Sequence, residues 1–197
     1  MTEWEKAQKG YLYDANYDKE IVEARTRCAD LCYEFNNLRS SDIEKQQELL
    51  KKILGKMEGT PVITAPFYCD YGINISVGRN FYTNHNVTIL DCAKVTFGDN
   101  VFIAPNCVFS TAGHAIDSEQ RSRGLEIALP ITVGDNVLIG ANVSVLPGVT
   151  IGSNTIIGAG SVVNKDIPEG VIAVGNPCKV MRKITEEDKK KYPIFEG

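Results

Sequence analysis

Residues 130–163 read PITVGDNVLIGANVSVLPGVTIGSNTIIGAGSVV, and an aliphatic side chain returns at every sixth position: Val133, Ile139, Val145, Ile151, Ile157 and Val163. Two residues before each stand Ile131, Val137, Val143, Val149, Thr155 and Ser161, while Gly134, Gly140, Gly152 and Gly158 follow four of the six. A strand alternates its side chains, so positions two apart share a face, and six residues leave room for one short strand and one corner. Corners often need a positive backbone dihedral, which Gly or Asn adopts at little cost. Three strands and three corners close a triangular coil of about 18 residues, which stacks on its neighbours by backbone hydrogen bonds. An antiparallel sandwich would instead show turn signals roughly every 8–12 residues.

Working outward, the same phase holds at Val77, Thr83 and Ile89 and, after a two-residue shift, at Phe97, Ile103 and Phe109. It is interrupted once. The polar stretch from Thr111 to about Pro130 lacks the aliphatic recurrence and is expected to leave the coil as an extruded loop. Upstream, residues 1–60 carry a helical period instead. Ile21, Ala24, Cys28, Leu31, Cys32 and Phe35 form one stripe behind a candidate N-cap at Asp18. A second helix is expected from Ser41, where Ser41–Glu44 fits a capping box, through Leu50, Ile53, Leu54 and Met57, with Gly55 and Gly59 marking its end. The expected organisation is a mainly β chain: a helical arm over 1–60, a parallel β-helix over 61–185 with a loop near 111–130, and a tail over 186–197. Parallel crossovers are normally right-handed, so the period alone leaves the winding open.

A net charge of −4 offers no electrostatic footprint for nucleic acid or an anionic membrane. Apolar runs are far too short to span a bilayer and the acidic start is unlike a signal, so the cytoplasm is expected. The six cysteines read as reduced, mostly buried small hydrophobes. They show no metal spacing along the chain, and two histidines cannot make a three-histidine zinc site, so no metal is expected.

His114 stands where the repeat gives way to the loop. Imidazole is suited to taking a proton from a hydroxyl near neutral pH. Glu126, just before the repeat resumes, is the candidate to hold its other nitrogen. Asn84 falls at a corner, where a left-handed turn is the plain reading, although its amide could also orient an acceptor or donate to developing negative charge. After Pro177, which ends the repeat, Lys179 and Arg182 supply cations of the kind that hold phosphates.

These residues resemble the hexapeptide-repeat acyltransferases, specifically the maltose and galactoside O-acetyltransferases. The likeness runs through Gly10–Ala15, Tyr33–Asn36, Gly78–Asn84, Ile103–Asn106, Gly113-His114, Pro130–Val137, Gly158–Pro168 and Gly175–Val180. The resemblance implies a left-handed coil and a homotrimer with active sites between neighbouring subunits. It implies acetyl-CoA as donor, His114 as general base with no acyl-enzyme, and Asn84, Tyr82, Asp70 and Asp14 around the acceptor, with Asp91 beside them. It also implies an oxyanion donor at the Ala141 N–H, and acetyl-CoA lying against Ala159, Asn164 and Lys165 with Lys179 and Arg182 near its phosphates. The sequence departs from the family at Leu138, where an aromatic is frequent, and at Asp91-Cys92, where galactoside enzymes carry two acids. Lys179 stands for a common arginine, keeping the charge without the fork. The expected activity is O-acetylation of a sugar hydroxyl of the maltose or glucose type. The alternatives are a non-sugar hydroxyl acceptor, such as an antibiotic or serine, and a non-catalytic scaffold.

Overall fold

The structure is a computed structural model that describes residues 1–195; the last two residues of the expected tail lie outside it. Three parallel sheets form the faces of a triangular prism. The first face stacks Val62–Ile63, Tyr82–Thr83, Phe102–Ile103, Leu138–Ile139, Ile156–Ile157 and Val171–Val174. The second stacks Phe67–Cys69, Val87–Leu90, Val108–Ser110, Ser144–Val145 and Val162–Val163. The third stacks Lys56–Met57, Ile75–Val77, Val95–Phe97, Ile131–Val133 and Thr150–Ile151. The chain visits first, second and third face in turn, so each six-residue unit supplies one strand and one edge.

The side chains of the repeat do what their period requires. Val133, Ile139, Val145, Ile151, Ile157 and Val163 are buried, as are the residues two before each of them. Upstream, Val77, Ile89, Phe97, Ile103 and Phe109 continue the interior, with Phe97 packed between Phe81 and Phe109 at centroid distances of 5.1 Å. The outward columns differ by face. The third presents Lys56, Ser76, Thr96, Thr132 and Thr150, whereas the first presents Val62, Tyr82, Phe102, Leu138 and Ile156.

The glycines after the aliphatic positions serve a different purpose from the one expected. Gly134 and Gly140 do not have positive φ; the left-handed residues are the asparagines two positions later, Asn136 at 57° and Asn142 at 58°. What requires glycine is stacking. A Cβ on Gly134 would lie 2.7 Å from the Ser153 backbone nitrogen, and one on Gly140 would lie 2.6 Å from that of Ala159. Along the edge between third and first faces, the left-handed asparagines also bond to one another. Asn80 donates to Asn100, Asn100 to Asn136, and Asn136 to Asn154, at 2.9, 2.9 and 3.1 Å.

Helix α1 (Glu3–Gln8), which the apolar stripes did not reveal, is closed by a Thr2–Glu5 capping box. Helix α2 (Lys19–Asn36) is capped by Asp18 as expected. Helix α3 (Ile43–Ile53) is shorter than its apolar spacing suggests, and Asp42, at its N-cap, makes no side-chain cap bond. Met57 belongs to the first strand of the third face instead. The backbone at Gly55 must pass against the Ile73 carbonyl, 2.0 Å from where a Cβ would be, and this entry into the coil ends the helix. Cys28, Cys32 and Phe35 of α2 and Leu49, Leu50 and Ile53 of α3 merge with the coil interior into one core. At the other end the chain turns at residues 175–178, and Lys179–Lys183 returns antiparallel to Val171–Val174. Among the described residues, no helix is long and apolar enough to cross a membrane.

The extruded segment is ordered. Ala112–His114 pairs antiparallel with Leu125–Ala128, helix α4 (Ser118–Ser122) covers the tip, and Tyr13–Asp14 adds a third strand.

Candidate active site

The second edge, between second and third faces, is where the repeat gains residues. In three successive coils the step between equivalent inward positions is longer than the period allows: Cys69 to Val77, Ile89 to Phe97, and Phe109 to Val133, against Val145 to Ile151 in the regular coil. The two-residue phase shift in the sequence is the middle one. The surplus backbone needs its amides satisfied, and Asp91 supplies the acceptors. Its Oδ1 accepts from the backbone N–H groups of Asp70 and Tyr71, at 3.1 and 2.9 Å, and its Oδ2 from that of Asn74 at 3.2 Å. Asp91 is wholly buried, and that burial pushes its pKa up to about 6 against the pull of the amides. The expectation that Asp91 lines an acceptor pocket does not fit this placement: both oxygens are committed to the corner beneath the pocket.

Above that corner, the hairpin register sets His114 opposite Glu126. His114 Nε2 lies 3.9 Å from Glu126 Oε1; the His114 side chain is 56% exposed and that of Glu126 only 14%. The carboxylate is therefore the held partner and the imidazole the reachable one. Tyr13, paired with Glu126 across the added strand, donates its hydroxyl to Glu126 Oε2 at 3.2 Å and fixes the acid from behind. Burial raises the Tyr13 phenol pKa far above its usual range, so it remains a donor.

His114 and Glu126 share a pocket of ≈ 300 Å³ with Asp70, Cys92, Ser110 and Arg25. The Asp70 carboxylate takes a 3.4 Å hydrogen bond from the Cys92 thiol, and burial raises its pKa while that thiol and Arg25 oppose the rise. Arg25 reaches in from α2, donating to the Ala15 carbonyl and lying 6.0 Å above the Tyr71 ring. Its buried Nε makes no hydrogen bond. Asp14 is set one strand away from this pocket. Its Oδ1 accepts from the backbone amides of Asn16 and Tyr17, which ties it to its own turn.

Sequence reading missed Arg25, Tyr13 and Cys92. Arg25 had a signal, since it follows Ile21 by four residues and precedes Cys28 by three, within the same stripe. Cys92 had one in the departure at Asp91-Cys92, whereas the role of Tyr13 comes from a pairing between segments far apart in the chain.

The remaining expected site residues lie elsewhere on the prism. Tyr82 is on the first face, and Asn84, Ala141 and Ala159 stack along the first edge, between first and second faces, where Gly160 N–H donates to the Ala141 carbonyl at 2.8 Å. Asn84 is not left-handed; Asn86 takes that conformation at φ 59°, and the Asn84 side chain accepts from the His85 N–H at 2.8 Å. Asn164 and Lys165 sit at the second edge, after Val162–Val163. Lys179 and Arg182 are on the returning strand, with the Arg182 fork engaged by Asp188 at 2.6 and 2.8 Å. One chain therefore holds two separate groups, on two edges flanking the second face.

The cysteines also come together in a way the sequence does not show. All six are unpaired, as read, but folding lays Cys69 against the Cys28–Cys32 turn of α2 and brings their sulfurs within 4.8 Å of one another. Spacing along the chain could not reveal that grouping.

Comparison with known proteins joins these observations. Residues 6–59 match the maltose acetyltransferase hexapeptide capping motif, and residues 130–165 match the bacterial transferase hexapeptide (six repeats). The chain is 45% identical to the galactoside O-acetyltransferase of Escherichia coli, over 95% of this chain and 92% of that one. A structure of galactoside acetyltransferase in complex with coenzyme A superimposes with a TM-score of 0.93 at 44% identity, covering 100% of this chain and 97% of the other. The maltose O-acetyltransferase of Clostridium difficile gives 0.91 at 45% identity, covering 94% and 99%. The exposed histidine over a half-buried acid thus sits on a scaffold shared along its whole length, and the chain belongs to the hexapeptide-repeat acetyltransferases of the galactoside and maltose O-acetyltransferase type.

Proposed function

We propose that this protein transfers the acetyl group of acetyl-CoA to a hydroxyl of a sugar, with His114 as general base. The observation that carries the reading is the exposed His114 imidazole standing over the half-buried, Tyr13-braced Glu126 at the mouth of a polar pocket. His114 takes the acceptor's proton as the hydroxyl oxygen attacks the thioester carbonyl carbon. The tetrahedral oxyanion is held by the backbone N–H of Ala141, so that position needs no particular side chain. Collapse breaks the carbon–sulfur bond, and the imidazolium returns its proton to the departing thiolate, giving the acetyl ester and CoA. Glu126 orients the ring and stabilises its protonated form. Asp70, beside His114, is placed to accept from a second sugar hydroxyl.

The active unit is a left-handed homotrimer in this reading. His114 is on the second edge and Ala141 on the first, so the two can meet only if neighbouring copies bring different edges together. A closed ring of three does this when the second face of each copy points to the threefold axis. Below Tyr68, that face presents Thr88, Val108, Ser144 and Val162, side chains short enough for close approach. Tyr82 and Asn84 then line the acceptor side from the neighbouring copy, and the donor runs down the seam past Ala159, Asn164 and Lys165. Lys179 and Arg182 stand near its phosphates once Arg182 exchanges Asp188 for them. The cytoplasm is the compartment in which six unpaired thiols persist.

The test is thiol release from acetyl-CoA over a panel of maltose, glucose, galactosides, serine and chloramphenicol, with mass detection of the acetyl ester. Turnover confined to serine or chloramphenicol would reject the sugar assignment. No turnover with any hydroxyl acceptor, and no melting shift with CoA, would reject the enzymatic one.

A further inference from the structure

Away from the active site, α2 and the second face meet at three cysteines. Cys28 and Cys32 project from successive turns of α2 onto one side, as an i, i+4 pair must. Cys69 ends the first strand of the second face and closes the triangle. Its Sγ is 3.5 Å from that of Cys28 and 3.7 Å from that of Cys32, and all three sulfurs lie within 4.8 Å of one another. Three thiolates around a single ion at the usual metal–sulfur distance of about 2.3 Å stand about 3.8–4.0 Å apart, so the triangle is already close to the size of a coordination sphere. We propose that Cys28, Cys32 and Cys69 form a three-thiolate site for a thiophilic cation, of the Zn(II) or Cu(I) class.

Three features support that use over simple packing. First, the donor set is all sulfur, which selects soft cations over magnesium or calcium. Second, two of the three sulfurs come from one helix, whose backbone sets their spacing before any ion arrives. Each thiol gives up its proton as its sulfur binds, so uptake weakens as pH falls. Third, the cluster is not sealed. Cys32 and Cys69 line a surface pocket of ≈ 570 Å³ together with Tyr33, Asn36, Pro66 and Tyr68. That opening gives an entry path and room for a water as fourth donor, which tetrahedral zinc needs and trigonal copper does not. Asn36 cannot be that donor, since its amide is spent in a reciprocal pair with the Phe67 backbone at 2.9 and 2.8 Å. A bound ion would tie the helical arm to the coil across the stretch from Cys32 to Cys69. Its effect would be on the hold of the arm, with the acetyl-transfer step left to His114.

The test uses the full-length reduced protein, stripped with chelator and exposed in separate arms to zinc chloride, cobalt chloride and Cu(I) under anaerobic conditions. The expected result is about one tightly held ion per chain, with a sulfur-to-cobalt charge-transfer band in the cobalt arm and a raised melting temperature in the zinc or copper arm. Cys69→Ser and Cys32→Ser should each lose the charge-transfer band and the thermal gain, while Cys107→Ser, a buried cysteine far from the cluster, should keep both. Cys32→Ser also serves if Cys69→Ser fails to fold. Wild-type protein that takes up none of these ions, or a Cys28→Ser/Cys32→Ser double variant that binds as much as wild type, would overturn the proposal.

Discussion

Along the third edge of the prism, between third and first faces, four coils place the same residues at the same height: Asn80, Asn100, Asn136 and Asn154, each left-handed and each bonded to the next. Along the second edge the coils differ from one another. One inserts Asp70 and Tyr71, the next Asp91 and Cys92, and the third an entire hairpin with His114 and Glu126. Both edges answer the same problem of turning a strand through a corner. Where the period is kept, along the third edge, the asparagine side chains are used by the neighbouring coils. Where it is broken, surplus backbone pushes side chains outward, and the corner beneath must be rebuilt with a buried acid. His114 and Glu126 thus stand at the departure from the repeat.

That contrast can be broken deliberately, beginning with the largest expected effect. His114→Ala should lower turnover by about two to four decades while leaving the melting temperature and CoA binding as in wild type. Steady-state thiol release beside a thermal melt checks this, and near-normal turnover would remove His114 from its role. Gly134→Ala, on the third edge, should do the reverse. Its Cβ would meet the Ser153 backbone nitrogen at 2.7 Å, and the loss should be about 2–4 kcal/mol in urea denaturation, with the turnover of the folded fraction preserved.

A third experiment separates the two layers of the second edge. The Asp91 pKa is raised to about 6, above the value of about 3.9 in an unfolded chain. Between those values the native state holds a proton that the unfolded state has lost, so Asp91's contribution to stability is complete below pH 4 and declines as pH rises through about 6. The decline should be about 3 kcal/mol in full, and Asp91→Asn should flatten it. Denaturation curves at several pH values between 4 and 7 measure both slopes, and equal slopes in the two proteins would dismiss the buried acid as their source. The smallest effect belongs to Asn136→Ala. It should cost about 1–2 kcal/mol for the left-handed backbone, whereas Asn136→Gly should recover most of the loss. Failure of glycine to recover it would show that the side-chain ladder matters more than the dihedral.

The coil itself was legible because a period of six leaves no other economical use for Val133, Ile139, Val145 and their successors. Less legible was the reason for each corner residue. Glycine and asparagine both suggest positive φ, and only stacked backbones reveal that Gly134 and Gly140 are required by close approach. The end of α3 was misread for a related reason: Leu54 and Met57 continue an apolar spacing, but the Ile73 carbonyl decides where the helix must stop. At the candidate site, His114 and Glu126 were readable from their positions at the two ends of one interruption. Tyr13, Cys92 and the Cys28–Cys32–Cys69 triangle depend on contacts across 22 to 113 residues of chain, which no local pattern encodes.

The merged core at the start of the prism has one more implication. A stacked coil ends in a row of unpaired amides and carbonyls, ready to accept another strand, and here α2 and α3 lie over that end with Phe35, Leu50 and Ile53 seated in the coil interior. Stripped of residues 1–54, the prism would present a raw, greasy terminus to every other molecule in solution. Such a fragment should polymerise end to end, which makes the two helices the stop that keeps this growing architecture finite.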